Sequence, residues 1–193
     1  MTDVVSNWKV FGLEDSIKAS KYPMAVDVEN CTPDITKNVK KLAGAAPGTG
    51  HDQFLTGIIV QFDLTFSVKA WVEAERYHFL DFVSSQSTMH RVAKLDVKKQ
   101  CNEYVDADTI AVVEHKIRTY ENDPTPENYL KLLYNIPTGY TLTARMTTNA
   151  RQLKTIYQQR KNHRLPEWRC FCKWIEGLPF ADFIIGGNDI DTR

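Results

Sequence analysis

Apolar and polar positions alternate most regularly over residues 60–69. Every second residue of that stretch is apolar, and the residues between are polar or charged. The apolar members are Val60, Phe62, Leu64, Phe66 and Val68. A period of two places such side chains on one face of an extended chain, so the pattern predicts a half-buried β-strand.

The period then changes to that of a helix. Trp71, Glu75, His78 and Phe82 follow one another at spacings of three and four, which predicts a helix over residues 69–82. That helix leads into a polar segment, residues 84–91. The side chains of this segment either make local hydrogen bonds or line a pocket, and the sequence leaves both interpretations open.

Similar patterns predict the other elements. Thr32 and Pro33 are typical of a helix start, and that helix is expected to run to Gly44. Periodicity predicts further helices over residues 14–20, 108–120 and 128–136, and a second strand over residues 141–146. That strand leads into a helix that starts near Asn149, and a last helix starts at Pro166 with Trp168, Phe171, Cys172 and Ile175 as its core stripe. The polar tail after Ile185 is expected to fray.

These elements make a helix-rich α+β domain with few strands. A chain of 193 residues suits a single domain over residues 1–193, and its 42% hydrophobic and 25% charged residues are those of a soluble globular protein. The net charge is zero, which argues against a general nucleic-acid coat protein. No stretch reaches the roughly 18 apolar residues of a membrane span, so we expect a cytoplasmic protein without a membrane partner.

Catalytic motifs of the common kinds are missing from the sequence. Cys170 and Cys172 form a C-x-C without a second pair, and the histidines have no recognised ligand spacing, so we expect structural thiols and no metal. Ser84, Ser85 and Ser87 lie outside any G-x-S-x-G turn, which gives no support to a hydrolytic triad.

The helix from Asn149 carries polar groups on an apolar stripe. Leu153 and Ile156 share one face with Asn149 and Arg160, and a buried unpaired arginine is costly. Arg160 therefore either extends to water, pairs with a carboxylate or meets a polar ligand. The surrounding segment has a single acid, Glu167, against Arg145, Arg151, Lys154, Arg160, Lys161, Arg164 and Arg169. This local excess of positive charge favours a phosphate-bearing partner.

Several spacings resemble those of one family. Ile136 and Pro137 come twelve residues before an N-x-R formed by Asn149 and Arg151, and Arg160 lies nine residues beyond. Further matching groups are Glu167, Trp168 and Arg169 near the C-terminus, Gly50, His51 and Asp52 before the first predicted strand, and Val68, Lys69 and Ala70 at its end. Together they resemble the flavin-dependent thymidylate synthases, which methylate dUMP with a folate carbon donor.

The resemblance implies a small antiparallel sheet and a set of ligands. FAD would be bound by His51, Asn149 and Arg151, with NADPH and methylenetetrahydrofolate as co-substrates. Arg160 would face the pyrimidine and serve catalysis. The nucleotide substrate would be bound by Arg76, Ser85, Ser87, His90, Arg91 and Arg160. The protein would be a homo-oligomer, a tetramer, because sites of this family are assembled between subunits.

The chain also departs from the family pattern. The family's RHR falls on Leu80, Asp81 and Phe82, and another family arginine falls on Leu133. Arg76, His90 and Arg91 lie nearby in sequence and are candidates to replace the lost cations. Two alternatives therefore stay open: a related pyrimidine-modifying enzyme with a different one-carbon unit, and a non-catalytic protein that binds a nucleotide or single-stranded nucleic acid.

Overall fold

A computed structural model of the protein describes residues 3–46 and 48–186. The tail that was predicted to fray falls almost wholly on residues 187–193, outside the described residues. Two compact units make up the chain. Unit 1 comprises Met1–Asp63, Tyr77–Asp81 and Met146–Arg193, and unit 2 comprises Leu64–Arg76 and Phe82–Arg145. The single domain over residues 1–193 stays a prediction.

Four strands form a small antiparallel sheet in the order β1-β2-β4-β3. They are β1 (Val5–Phe11), β2 (Ile59–Ser67), β3 (Asp81–Ser85) and β4 (Thr141–Asn149). The alternation in β2 is confirmed, because Val60, Phe62, Leu64 and Phe66 are fully buried. The helix-rich α+β class is also confirmed. The edge strands β1 and β3 were not predicted.

The described residues form ten helices. They are α1 (Leu13–Ala19), α2 (Lys37–Ala43), α3 (Val68–Ala74), α4 (Thr88–Arg91), α5 (Val97–Gln100), α6 (Ala107–Asn122), α7 (Pro126–Leu133), α8 (Ala150–Arg160), α9 (Pro166–Ile175) and α10 (Ala181–Ile185). A 3-10 turn, Gln53–Gly57, leads into β2. The helices predicted near residues 14, 108, 128, 149 and 166 are confirmed, and α10 was not predicted.

Each unit has its own core. In unit 1 the stripe of α9 is buried as predicted, and the Phe62 ring of β2 lies 5.6 Å from Phe171 and 4.8 Å from Trp174. In unit 2 a cluster of Val92, Val97, Val113 and Leu132 joins α5, α6 and α7.

Two predicted helices are wrong in their bounds. The helix over residues 69–82 stops at Ala74, and Asp81–Ser85 pairs as a strand beside β4 instead. Phe82 still packs against Trp71, with ring centroids 4.9 Å apart, but it does so from a strand. The helix predicted to start at Thr32 and Pro33 is α2, which begins only at Lys37. The start lies there because the Thr36 hydroxyl accepts the cap bond from the Val39 N–H.

Candidate functional site

Asn149 lies at the junction of β4 and α8. Its side-chain Oδ1 accepts a hydrogen bond of 2.8 Å from the Gln152 N–H, which makes it the N-cap of α8. This bond fixes the carboxamide, because the cap requires its oxygen to face the helix. The amide nitrogen then points away from the helix end and can donate to a ligand.

Arg151 lies in the first turn of α8 and is held by the loop before β2. Its Nη1 donates to Gln53 Oε1 at 2.9 Å, and its Nε lies 3.1 Å from Asp52 Oδ1. About a third of the side chain is exposed. Two partners thus orient the guanidinium while part of it stays accessible.

Asp52 and Lys154 form a buried ion pair beside Arg151. The Lys154 ammonium donates three hydrogen bonds, to the carbonyl oxygens of Ala43 and Ala45 at 2.7 Å and to Asp52 Oδ2 at 3.0 Å. Both side chains are only 3% exposed. Every donor of the ammonium is therefore matched, as a buried charge requires. The sequence placed Lys154 in a basic segment but gave no sign of this pair.

A cavity of about 430 Å³ opens beside these groups in unit 1. It is lined by Asp52, Gln53, Thr56, Phe79, Asn149, Arg151, Gln152, Lys154, Thr155 and Gln158. Its volume is in the range of about 300–1,000 Å³ that small-molecule sites have. Asp52 Oδ1 is buried and accepts no hydrogen bond from the described residues, since its contact with Arg151 is an ion pair only. The cavity therefore combines amides, hydroxyls and the Arg151 guanidinium beside the buried Asp52–Lys154 pair.

Arg160 ends α8 inside a group of aromatic side chains. Its Nε donates to the Tyr77 hydroxyl at 2.7 Å, and its Nη1 lies 2.8 Å from His163 Nε2. The guanidinium carbon lies 4.9 Å from the centroid of the Trp168 ring and 5.5 Å from that of Tyr77. Of the three outcomes that the sequence allowed, extension to water is excluded, because Arg160 is only 8% exposed. It is not among the residues that line the 430 Å³ cavity.

His51 is exposed and lies on a different cavity of unit 1. That cavity, of about 1060 Å³, is lined mainly by residues 19–42, with Gly50, His51, Gln53 and Phe54 at one side. Gln53 borders both cavities. The structure thus brings Asn149 and Arg151 together on one cavity and places His51 on the other.

The remaining predicted residues lie in unit 2. Ser85 lines a cavity of about 400 Å³, whereas Arg76, Ser87, His90 and Arg91 do not line it. Arg76, His90 and Arg91 are exposed. Ser87 occupies the N-cap position of α4 but makes no side-chain cap bond. The polar segment over residues 84–91 therefore borders a pocket only in part.

The C-x-C cysteines show no sign of nucleophilic activation. Burial raises the pKa of Cys172 to about 12, an effect that the nearby Arg160 and Lys161 only partly offset. Burial also raises the pKa of Cys170. A thiol with a raised pKa is a poor nucleophile at neutral pH.

Comparison with known proteins gives a fold. No family model and no curated protein sequence matches the chain. Two solved structures of flavin-dependent thymidylate synthase ThyX from Helicobacter pylori, both with FAD and dUMP, are similar at TM-scores of 0.70 and 0.72. Each is 16% identical in sequence, and the likeness covers 96% and 97% of this chain and 99% of the other.

A third similar structure is a UMP/dUMP methylase, PolB from Streptomyces cacaoi, bound with 5-Br dUMP. Its TM-score is 0.62 at 13% identity, over 94% of this chain and 93% of that chain. None of the helices in the described part of the chain is long and apolar enough to span a bilayer. The protein therefore has the fold of the flavin-dependent thymidylate synthases, over nearly its whole length.

Proposed function

We propose that the protein is a divergent flavin-dependent thymidylate synthase that methylates dUMP to dTMP with a folate one-carbon donor, or carries out a closely related pyrimidine-nucleotide modification. One observation carries the proposal. The N-x-R pair of Asn149 and Arg151 lines a cavity in a chain whose fold is that of proteins crystallised with FAD and dUMP.

The groups on this cavity fit the edge of a flavin ring. That edge alternates carbonyl oxygens with an N–H, so it needs donors on either side of an acceptor. Asn149 and Arg151 have N–H groups to donate, and the side-chain oxygens of Gln152, Thr155 and Gln158 on the same cavity can accept from the ring N–H. A bound flavin supplies the hydride chemistry, while these residues bind and orient it.

Arg160 is our candidate for the pyrimidine. Tyr77 and His163 hold its guanidinium in a buried position, where a positive charge acts through a low dielectric. Such a group can stabilise negative charge that develops on a pyrimidine ring during reaction. Arg76, Ser85, Ser87, His90 and Arg91 are the candidates for the rest of the nucleotide.

The other parts of the proposal follow from the family resemblance. They are NADPH and methylenetetrahydrofolate as co-substrates, a homotetramer, and a cytoplasmic location. Sedimentation velocity of the purified protein tests the assembly, and a monomer at all concentrations would contradict the tetramer.

A non-catalytic binding protein on the same fold is the second candidate. It is favoured by the residues at the positions of the family's RHR, where Leu80 is buried and Phe82 is an exposed aromatic residue. A protein of this kind would bind a nucleotide or a single strand through its basic segment without turnover. Single-strand binding of this type weakens steeply with added salt.

The deciding experiment is the visible absorption spectrum after FAD is added and the protein is desalted, with and without dUMP. Flavin bands that persist and shift with dUMP support the synthase, and assays of thymidylate formation then follow. Arg151→Gln should lose the bound flavin, whereas Arg118→Gln, an exposed arginine of α6, should keep it. Failure of the unaltered protein to retain flavin at any concentration would favour the non-catalytic candidate.

A further inference from the structure

Lys154 lies on the cavity of about 430 Å³ but outside the motif residues that carry the family resemblance. Its side chain is only 3% exposed, and its ammonium donates to Asp52 and to the carbonyl oxygens of Ala43 and Ala45. A lysine is almost never buried to this degree unless its charge is paired. Apolar residues of similar volume often stabilise a fold as well as a buried ion pair does. Fold stability alone therefore does not explain why a charge is placed here.

The ionised groups of the cavity do not cancel. Among its described lining residues only Asp52, Arg151 and Lys154 are charged, one negatively and two positively. Asp52 Oδ1 lies 3.1 Å from Arg151 Nε, and Asp52 Oδ2 lies 3.0 Å from Lys154 Nζ. A single carboxylate is thus shared between two cations. The lining keeps one net positive charge, and without Lys154 its net charge would be zero.

This charge acts from a buried and fixed position. Asp52 and Lys154 are each 3% exposed, so salt and water screen them little. The carbonyl dipoles of Ala43 and Ala45 hold the ammonium in place but do not remove its charge. A fixed positive charge in a buried site stabilises whichever state of a ligand is the more negative.

We infer that Lys154 makes the cavity bind reduced flavin more tightly than oxidised flavin, because the reduced ring is an anion at neutral pH and the oxidised ring is neutral. This inference rests on the proposed function, since it takes the flavin to occupy this cavity. Both forms of FAD have the same phosphates, so the difference between their affinities depends on the ring alone. Charge beside a flavin ring is one of the features through which a protein tunes its electronics. Lys154 is thus a specificity-determining residue that acts through its charge.

The midpoint potential of the bound flavin measures this preference. Its shift from the value of free FAD gives the ratio of the affinities for the reduced and oxidised forms, and about 30 mV corresponds to a tenfold ratio for a two-electron couple. A unit charge roughly 10 Å away in an effective dielectric of about 20 has an effect of this order. Lys154→Met should therefore lower the ratio about tenfold. Spectrophotometric titration against a reference dye records the potential of each protein.

Asp52→Asn changes the charge in the opposite direction. It leaves two cations, so the ratio should rise about tenfold. Combined with Lys154→Met it leaves one positive charge again, and the ratio should return close to that of the unaltered protein. A merely structural role would instead weaken the binding of both forms together, and most in the double variant. The double variant also removes the carboxylate that Lys154→Met leaves with a single cation, so the test does not depend on the folding of that variant.

Lys40→Met is the matched control, because it removes a half-exposed lysine of unit 1 that does not line the cavity. Its ratio should equal that of the unaltered protein, since an exposed charge is screened. Unaltered protein that binds neither form of flavin would end the proposed function and this inference together. Bound flavin with one and the same midpoint potential in Lys154→Met, Asp52→Asn and the unaltered protein would overturn this inference alone and leave the proposed function standing.

Discussion

At the scale of single residues, Lys154 shows how a buried charge is made tolerable. Its ammonium has three donors and meets three acceptors, one of them the charged Asp52. Removing the cation leaves Asp52 buried with one remaining cationic neighbour, Arg151. We expect Lys154→Met to lower the free energy of unfolding by about 3–5 kcal/mol, the usual cost of breaking a buried pair from one side. Urea denaturation measures this change.

The same substitution at Lys40 is the matched control. Lys40 also pairs with an aspartate, Asp182, but the two side chains are 50% and 73% exposed. Lys40→Met should therefore cost only about 0–1 kcal/mol. If both variants lost the same stability, the Lys154 pair would not have the role that its burial indicates.

Arg160 allows a second prediction at this scale, because its environment is aromatic. Arg160→Met keeps an apolar side chain of similar length but removes the bond to Tyr77 and the contact with Trp168. We expect a loss of about 1–3 kcal/mol from the cation–π contact and the hydrogen bond together. Arg164→Met, at an exposed position, should stay within about 0.5 kcal/mol of the unaltered protein. Thermal unfolding of both variants measures the difference, and equal midpoints would contradict it.

At the scale of elements, the start of α8 joins a structural and a binding role in one side chain. The Asn149 oxygen caps the helix, whereas its amide nitrogen remains for a ligand. Asn149→Asp keeps a capping oxygen and should preserve stability, yet it should lower flavin affinity because the donor is lost. Asn149→Ala should lose both, with about 1 kcal/mol of stability.

Thr125→Ala provides the control for Asn149→Ala, since Thr125 caps α7 through the Asn128 N–H. Thr125→Ala should lower the free energy of unfolding by a similar amount and leave flavin binding unchanged. Flavin titration and urea denaturation of the three variants separate the two roles. Unchanged flavin affinity in Asn149→Asp would remove Asn149 from the proposed flavin site.

The elements that sequence predicted are those with one buried face. Strand β2 and helix α9 repeat apolar residues with periods of two and about 3.6, because each packs one side on a core. Strand β3 has no such signal, since all five of its residues are exposed. The helical spacing of Trp71 and Phe82 predicts one shared helix face, but the two residues meet from a helix and a strand.

The site was predictable only where its residues are local. Asn149, Arg151 and Arg160 share one helix or its cap, so their spacing gave a correct expectation of their relative positions along α8. Asp52 and Lys154 are 102 residues apart, and no local pattern relates them. The tertiary fold alone brings the carboxylate beside the cavity, which is why sequence reasoning missed its ion pairs with Arg151 and Lys154.

At the scale of the whole molecule, burial of a tyrosine and a cysteine makes the free energy of unfolding depend on pH in the alkaline range. Burial raises the pKa of Tyr140 in unit 2 from 10.0 to about 12, and that of Cys172 in unit 1 from 9.0 to about 12. Between its ordinary pKa and the raised value of about 12, each of these groups has lost its proton in the unfolded chain but keeps it in the folded chain. The unfolded state then binds fewer protons, so the free energy of unfolding falls as pH rises.

This linkage predicts different onsets for the two groups. We expect stability to fall from about pH 9 upward and more steeply above about pH 10, where the unfolded tyrosine also ionises. Cys172→Ala should reduce the slope that begins near pH 9, to which Cys101 and Cys170 also contribute because their pKa values are raised. Tyr140→Phe should reduce the slope that begins near pH 10, to which Tyr129 and Tyr157 also contribute. Urea denaturation from pH 8 to 11, with each variant compared with its own value at pH 8, measures both slopes. Parallel curves for all three proteins would mean that neither group keeps its proton in the folded state at these pH values, and the losses would then have to arise from other residues.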